Sequence, residues 1–97
     1  MPLVYDINGF ETLPVGAAAV GFTIVAGRNY AFITVEANPV RFRVDGVDPT
    51  AAVGHLLAVG DVLVLEGGTA ILQFRAIATG AAAVLSISYG YREQGMP

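Results

Sequence analysis

The sequence predicts an all-β protein: a single-domain antiparallel β-sandwich, jelly-roll-like, with about eight short strands. Three observations carry that prediction. Apolar and polar residues alternate with a period of two in several separate runs, which puts one set of side chains on each face of a strand. Turn-forming pairs (Asn8-Gly9, Asp45-Gly46, Asp48-Pro49, Gly60-Asp61, Gly67-Gly68) punctuate those runs. Many short strands with a turn about every ten residues are the pattern of a sandwich or small barrel. Finally, 97 residues without a cysteine have room for one hydrophobic core and no disulfide framework.

The elements follow in order. Leu3–Ile7 reads as a first strand, and Asn8-Gly9 as a tight hairpin turn. Phe10–Val15 reads as a short second strand. Pro14 cannot donate to a ladder, so this piece sits on an edge or leads into a loop. In 17–25 the alanines favour helix, while Gly21 and the Phe-Thr-Ile-Val run favour a strand from Ala19. Tyr30–Glu36 is the clearest strand of the first half, with Tyr30, Phe32, Thr34 and Glu36 opposite Ala31, Ile33 and Val35. In Val40–Asp45, Val40, Phe42 and Val44 face one way and Arg41, Arg43 and Asp45 the other. A long ordered loop, Gly46–Gly60, leads to Asp61–Glu66. That strand is apolar on both faces, as expected when both are covered. Ala70–Ala78 and Ala82–Tyr91 alternate as two further strands. Residues 1–97 therefore form one domain, with 1–9 a candidate N-terminal contact arm and 92–97 a frayed tail.

Composition narrows the function classes. The net charge of −3 argues against nucleic acid as a partner. The basic residues are five scattered arginines, so no basic patch forms in sequence. Charged residues are only 13%, against roughly 25% in an average soluble domain, and hydrophobic residues reach 55%. A small domain has much surface to cover, so this imbalance suggests that a partner covers part of it. The uncharged stretch 13–27 is broken by Pro14, Gly16 and Gly21, so no transmembrane helix and no membrane partner is expected. The opening MPLVYDING has neither the basic region nor the apolar core of a signal peptide.

No residue set reads as catalytic, and no cofactor or metal is expected. His55 is the single histidine; a general base needs a nucleophile and an orienting acid beside it. The serines, Ser86 and Ser88, sit mid-strand rather than on a nucleophile elbow. Asp45, Asp48 and Asp61 supply hard oxygens suited to calcium, yet each stands in a turn-forming pair that explains it. Glycine-rich phosphate cradles are missing. Arg41 and Arg43 project from one face of one strand, and Arg75 from another. They read either as a patch gripping an acidic partner or as a solvated sheet face with cross-strand ion pairs. Tyr89 and Tyr91 read as a contact patch or as core and rim aromatics.

The run Arg41-Phe-Arg-Val-Asp-Gly46, with Asp48-Pro-Thr50, Gly54-His-Leu-Leu57, Gly60-Asp61, Leu63, Leu65, Phe74-Arg75 and Ser86-Ile-Ser-Tyr89, resembles small tailed-bacteriophage virion proteins that decorate or cement the head. The resemblance covers residues 40–91 and carries no catalytic residues. It implies a β-sandwich on the exterior of the virion, made in the host cytoplasm and bound to the major capsid protein lattice, often as a homotrimer. Candidate contacts are Leu3, Val4, Tyr5 and Phe10 on an arm that adds a strand to a neighbour, Val15 at the head of an apolar stretch, the Arg41, Arg43 and Arg75 face, and His55 in the long loop. The competing readings are another virion module from tail or fibre, a glycan-binding sandwich using Tyr30, Tyr89 and Tyr91, and a cupin-type enzyme. The last needs several histidines and has one.

Overall fold

A computed structural model describes residues 5–92. The chain runs β1 (Tyr5–Val15), β2 (Tyr30–Ala37), β3 (Val40–Arg43), β4 (His55–Leu57), β5 (Val62–Glu66), α1 (Gly68–Gln73), β6 (Arg75–Ala78) and β7 (Ala83–Arg92). Two antiparallel sheets face each other, in the orders β1-β7-β2-β5 and β4-β3-β6. The all-β sandwich is as predicted. Among the described residues its elements are seven strands and one short helix.

The core follows the alternation. In β7, Ala83, Leu85, Ile87 and Tyr89 are buried, and in β2 Ala31, Ile33 and Val35. The opposing sheet contributes Val40, Phe42, Leu57, Ala76 and Ala78. Phe74 is fully buried at the centre. It stacks on Phe22 with ring centroids 4.2 Å apart, and the Phe42 ring lies 5.7 Å away. Residues 38–39 carry the chain from the first sheet to the second in a short connection. Asn38 takes φ 60° there, which its short polar side chain tolerates, and its Nδ2 donates to the Ala82 carbonyl over 2.8 Å.

Four local expectations change. Leu3–Ile7 and Phe10–Val15 are not a hairpin: from Tyr5 onward they are one strand, and Asn8-Gly9 is a β-bulge within it. The reason lies across the strand. A Cβ on Gly9 would stand 2.2 Å from the Arg28 guanidinium, whose carbon sits 4.5 Å from the centre of the Tyr89 ring. The bulge and its glycine make room for that side chain. Because β1 pairs with β7 from Tyr5↔Arg92 onward, the strand portion of the expected arm is built into its own sheet. Leu3, Val4 and the tail 93–97 lie outside the described residues.

The strand expected from Ala19 reduces to a single bridge, Val20↔Ala76, with hydrogen bonds of 2.9 and 2.8 Å. With Ala78 N–H donating to the Gly16 carbonyl, residues 16–20 line the outer edge of β6. Ala70–Ala78 is also not one strand. Its first half is α1, because the chain must cross from one sheet to the other. Ala70, Leu72 and Gln73 are good helix formers, and Ile71 and Phe74, three apart, both reach the core. Lastly, β5 is an edge strand, with Val62 and Val64 exposed rather than covered on both faces.

Candidate binding surfaces

The sandwich has two outer faces. On the four-stranded sheet the register aligns residues into rows across β1, β7, β2 and β5. One row is Phe10, Ser88, Phe32, Val64, and the next is Thr12, Ser86, Thr34, Val62. Ile7 stands opposite Gly90 on the same face, one step beyond Phe10. Phe10 is 66% exposed, and Ile7, Phe32, Val62 and Val64 are also exposed. Between the two phenyl rings the face drops to serine hydroxyls. Its carboxylates, Glu36 and Glu66, stand toward the ends of their strands, and Glu36 accepts a hydrogen bond from the Thr34 hydroxyl. This is an open, mostly apolar surface with hydroxyls and little charge.

The three-stranded sheet is built oppositely. Arg41 and Arg43 alternate with buried Val40 and Phe42, so both point outward, and Arg75 lies directly across from Arg43. The predicted arginine face therefore exists, and it is occupied by the protein's own loop. Arg41 donates from Nε to the Ala51 carbonyl over 3.1 Å and from Nη1 to the Gly54 carbonyl over 2.9 Å. Arg43 pairs with Asp45 through both Nε and Nη2. Arg75 Nε donates to Asp48 Oδ1 over 2.9 Å, and its Nη2 reaches the Ala19 carbonyl. The hydrogen bond to Arg43 holds the Asp45 carboxyl below its ordinary pKa of 3.8. Residues 44–54 are thus pinned at several points, with Pro49 buried beneath them.

His55 borders a cavity of about 380 Å³ lined also by Arg43, Val44, Asp45, Val53 and Gly54. The ring is exposed, 5.2 Å from that of Phe42. The aspartates expected to compete between turn and calcium have turn and pairing roles. Val47 N–H donates to Asp45, Ala58 N–H to Asp61, and Asp48 holds Arg75. Among the described residues no three metal-ligating side chains group together.

A polar cluster sits at the margin of the sandwich near the middle of β1, with Glu11 half-buried and Thr23 exposed. The Tyr89 hydroxyl and the Thr23 hydroxyl both donate to the Glu11 carboxylate, and Thr23 N–H adds a bond of 3.3 Å. Burial works against ionisation of Glu11. The Tyr89 and Thr23 hydrogen bonds outweigh it, with help from the Arg28 charge, and the carboxyl lies below its ordinary 4.5. Burial, and then the bond to Glu11, push the Tyr89 phenol strongly upward. Tyr89 is 1% exposed, which removes it as a sugar-stacking platform; Tyr91 is exposed.

Of the sequence-predicted contact residues, Phe10 stands on the open face and Tyr5 opens β1. Val15 is 1% exposed and belongs to the core, as does Phe22 further along the same stretch. Arg41, Arg43 and Arg75 come together on the opposite face, with His55 near its edge. Phe32, Val62 and Val64 were not singled out in sequence. Their signal was the apolar alternation of Val62–Glu66, which a doubly covered strand and an exposed edge strand share. No helix among the described residues is long and apolar enough to cross a membrane. No protein-family model, curated protein or solved structure matches the chain.

Proposed function

We propose that this protein is a non-enzymatic virion structural protein that binds the outside of an assembled phage capsid and cements or decorates it. The observation that carries the reading is the open face of the four-stranded sheet. Exposed Ile7, Phe10, Phe32, Val62 and Val64 stand together there with hydroxyls between them and little charge. Clustered aromatic and aliphatic side chains ringed by small polar groups suit a protein–protein contact. The likeness of residues 40–91 to head-decorating proteins supports the same reading, and the major capsid protein lattice is the proposed partner. A protein that binds the assembled shell and not its free subunits stabilises the shell by its differential affinity.

The test is co-sedimentation with purified capsids, using wild type and the double variant Phe10→Ser, Phe32→Ser. Two central aromatic contacts worth about 2 kcal/mol or more give a loss of affinity beyond about tenfold. Wild type that stays in the supernatant, or a double variant that sediments as well as wild type, would sink the proposal. The row of Phe10, Ser88 and Phe32, rings flanking a hydroxyl, also suits a sugar, and binding on a glycan array with loss in the same variant would favour that second reading.

A further inference from the structure

The two sheets have four edges, and three are blunted. The outer edge of β6 is lined by residues 16–20 through the Val20 bridge. β4 is only three residues long. β1 is long but interrupted by the bulge after Ile7 and by Pro14, which offers no N–H. β5 has none of these devices. It reads Val62-Leu63-Val64-Leu65-Glu66, without bulge, proline or lysine.

The hydrogen-bond parity of β5 is set by its flanks. Gly67 N–H donates to the Asn29 carbonyl, and Val35 N–H donates to the Asp61 carbonyl. In an antiparallel ladder bonded pairs alternate with unbonded ones. The pairs Ala31↔Leu65 and Ile33↔Leu63 are therefore the bonded ones, and Phe32↔Val64 and Thr34↔Val62 are not. It follows that the N–H and C=O groups of Val62 and Val64 point away from the sheet. Among the described residues no backbone hydrogen bond outside the strand ladders reaches either valine.

We infer that β5 pairs antiparallel with β5 of a second copy of this chain about a two-fold axis at Leu63. In that register Val62 meets Val64 of the other copy, and Val64 meets Val62. All four outward groups of each pair of valines are then used, giving four intermolecular hydrogen bonds. The parity is demanding, because a one-residue slip would bring the inward-bonded leucines opposite the outward valines. The side chains agree with it. The outer face along the seam is valine against valine, β-branched pairs that favour strands, and no like charges face each other between residues 62 and 64. The four-stranded sheet becomes eight-stranded, and the two apolar faces merge into one. A strand of a different protein would need its own matching apolar pattern; a second β5 supplies it by symmetry. The inference stands on the edge of the sheet and does not rest on the proposed capsid contact.

Light scattering across a concentration series, with amide hydrogen exchange by NMR, tests this on the isolated wild-type protein. The expected mass is that of two chains of 10.1 kDa at high concentration. The Val62 and Val64 amides gain protection as concentration rises. The variant Val62→Lys, Val64→Lys falls to a single-chain mass, with a circular dichroism spectrum like that of wild type. Phe10→Lys, on the β1 edge, stays a dimer. Should the double lysine variant fail to fold, the wild-type exchange measurement still decides. A wild-type monomer at all concentrations, a mass of three chains, a dimer that survives both lysines, or valine amides indifferent to concentration would each overturn the pairing. Wild type that dimerises yet stays in the supernatant with purified capsids counts against the proposed function alone.

Discussion

The two outer faces of the sandwich are made from the same alternation and end in opposite states. On the three-stranded sheet, outward arginines hold residues 44–54 against the protein through the Ala51 and Gly54 carbonyls, Asp45 and Asp48. On the four-stranded sheet, outward Phe10, Phe32, Val62 and Val64 have only hydroxyls between them. Charge on a strand is thus no guide to a partner surface. A guanidinium that can reach its own loop does so, because an intramolecular bond costs no association entropy. Among the described residues, the apolar side chains of the open sheet remain exposed.

Substitutions can break that contrast, and the largest effect falls on the core beneath both faces. Phe74→Ala removes the buried ring that packs on Phe22 and Phe42 and is expected to cost about 3–5 kcal/mol in urea unfolding. Next comes Gly54→Ala. Gly54 sits at φ 138°, and an added Cβ would stand 3.1 Å from the Phe42 carbonyl and 3.2 Å from both Arg41 and Pro49. A loss of about 1–3 kcal/mol is expected from that strain, with faster amide exchange through 44–54. Arg41→Ala cuts two loop bonds and is expected to cost about 1 kcal/mol, again with exchange rising in the loop and not on the open face.

A smaller effect concerns the cluster around Glu11. The folded pKa of Glu11 is lowered, so its contribution is present above pH 4.5 and is lost as the pH falls through the lower folded value. The acid side of a stability–pH curve should flatten in Glu11→Gln, and an unchanged curve would count against the cluster. The smallest effect on stability is at Phe10. Phe10→Ala is expected to lie within about 0.5 kcal/mol of wild type, because its ring is mostly in water. The same residue type, buried at 74 and exposed at 10, then separates folding from binding.

Much of the fold was legible in the sequence. Period-two alternation marked Tyr30–Glu36, Val40–Asp45 and Ala82–Tyr91, close to the observed β2, β3 and β7. Of the two readings that Pro14 allowed, an edge strand or a lead into a loop, the edge is observed. The arginine face was legible too, though not what it grips. Three features misled for physical reasons. Asn8-Gly9 suits a two-residue turn and equally a bulge, and the continuous pairing of β1 with β7, with the Arg28 guanidinium packed against Gly9, goes with the bulge. Ala70–Gln73 accepts helix or strand, and the need to cross between sheets selects helix. An apolar strand such as Val62–Glu66 reads the same whether covered or exposed.

The all-β class, the single core and the low charge follow from local periodicity and composition, so the residues alone carry them. Which side of each strand faces water, and which strand stands at an edge, emerge only when the strands are assembled. Those depend on strand order, and strand order is set by contacts between residues far apart in the chain. That is why Val62 and Val64, unremarkable in sequence, stand at the unguarded edge of the open face.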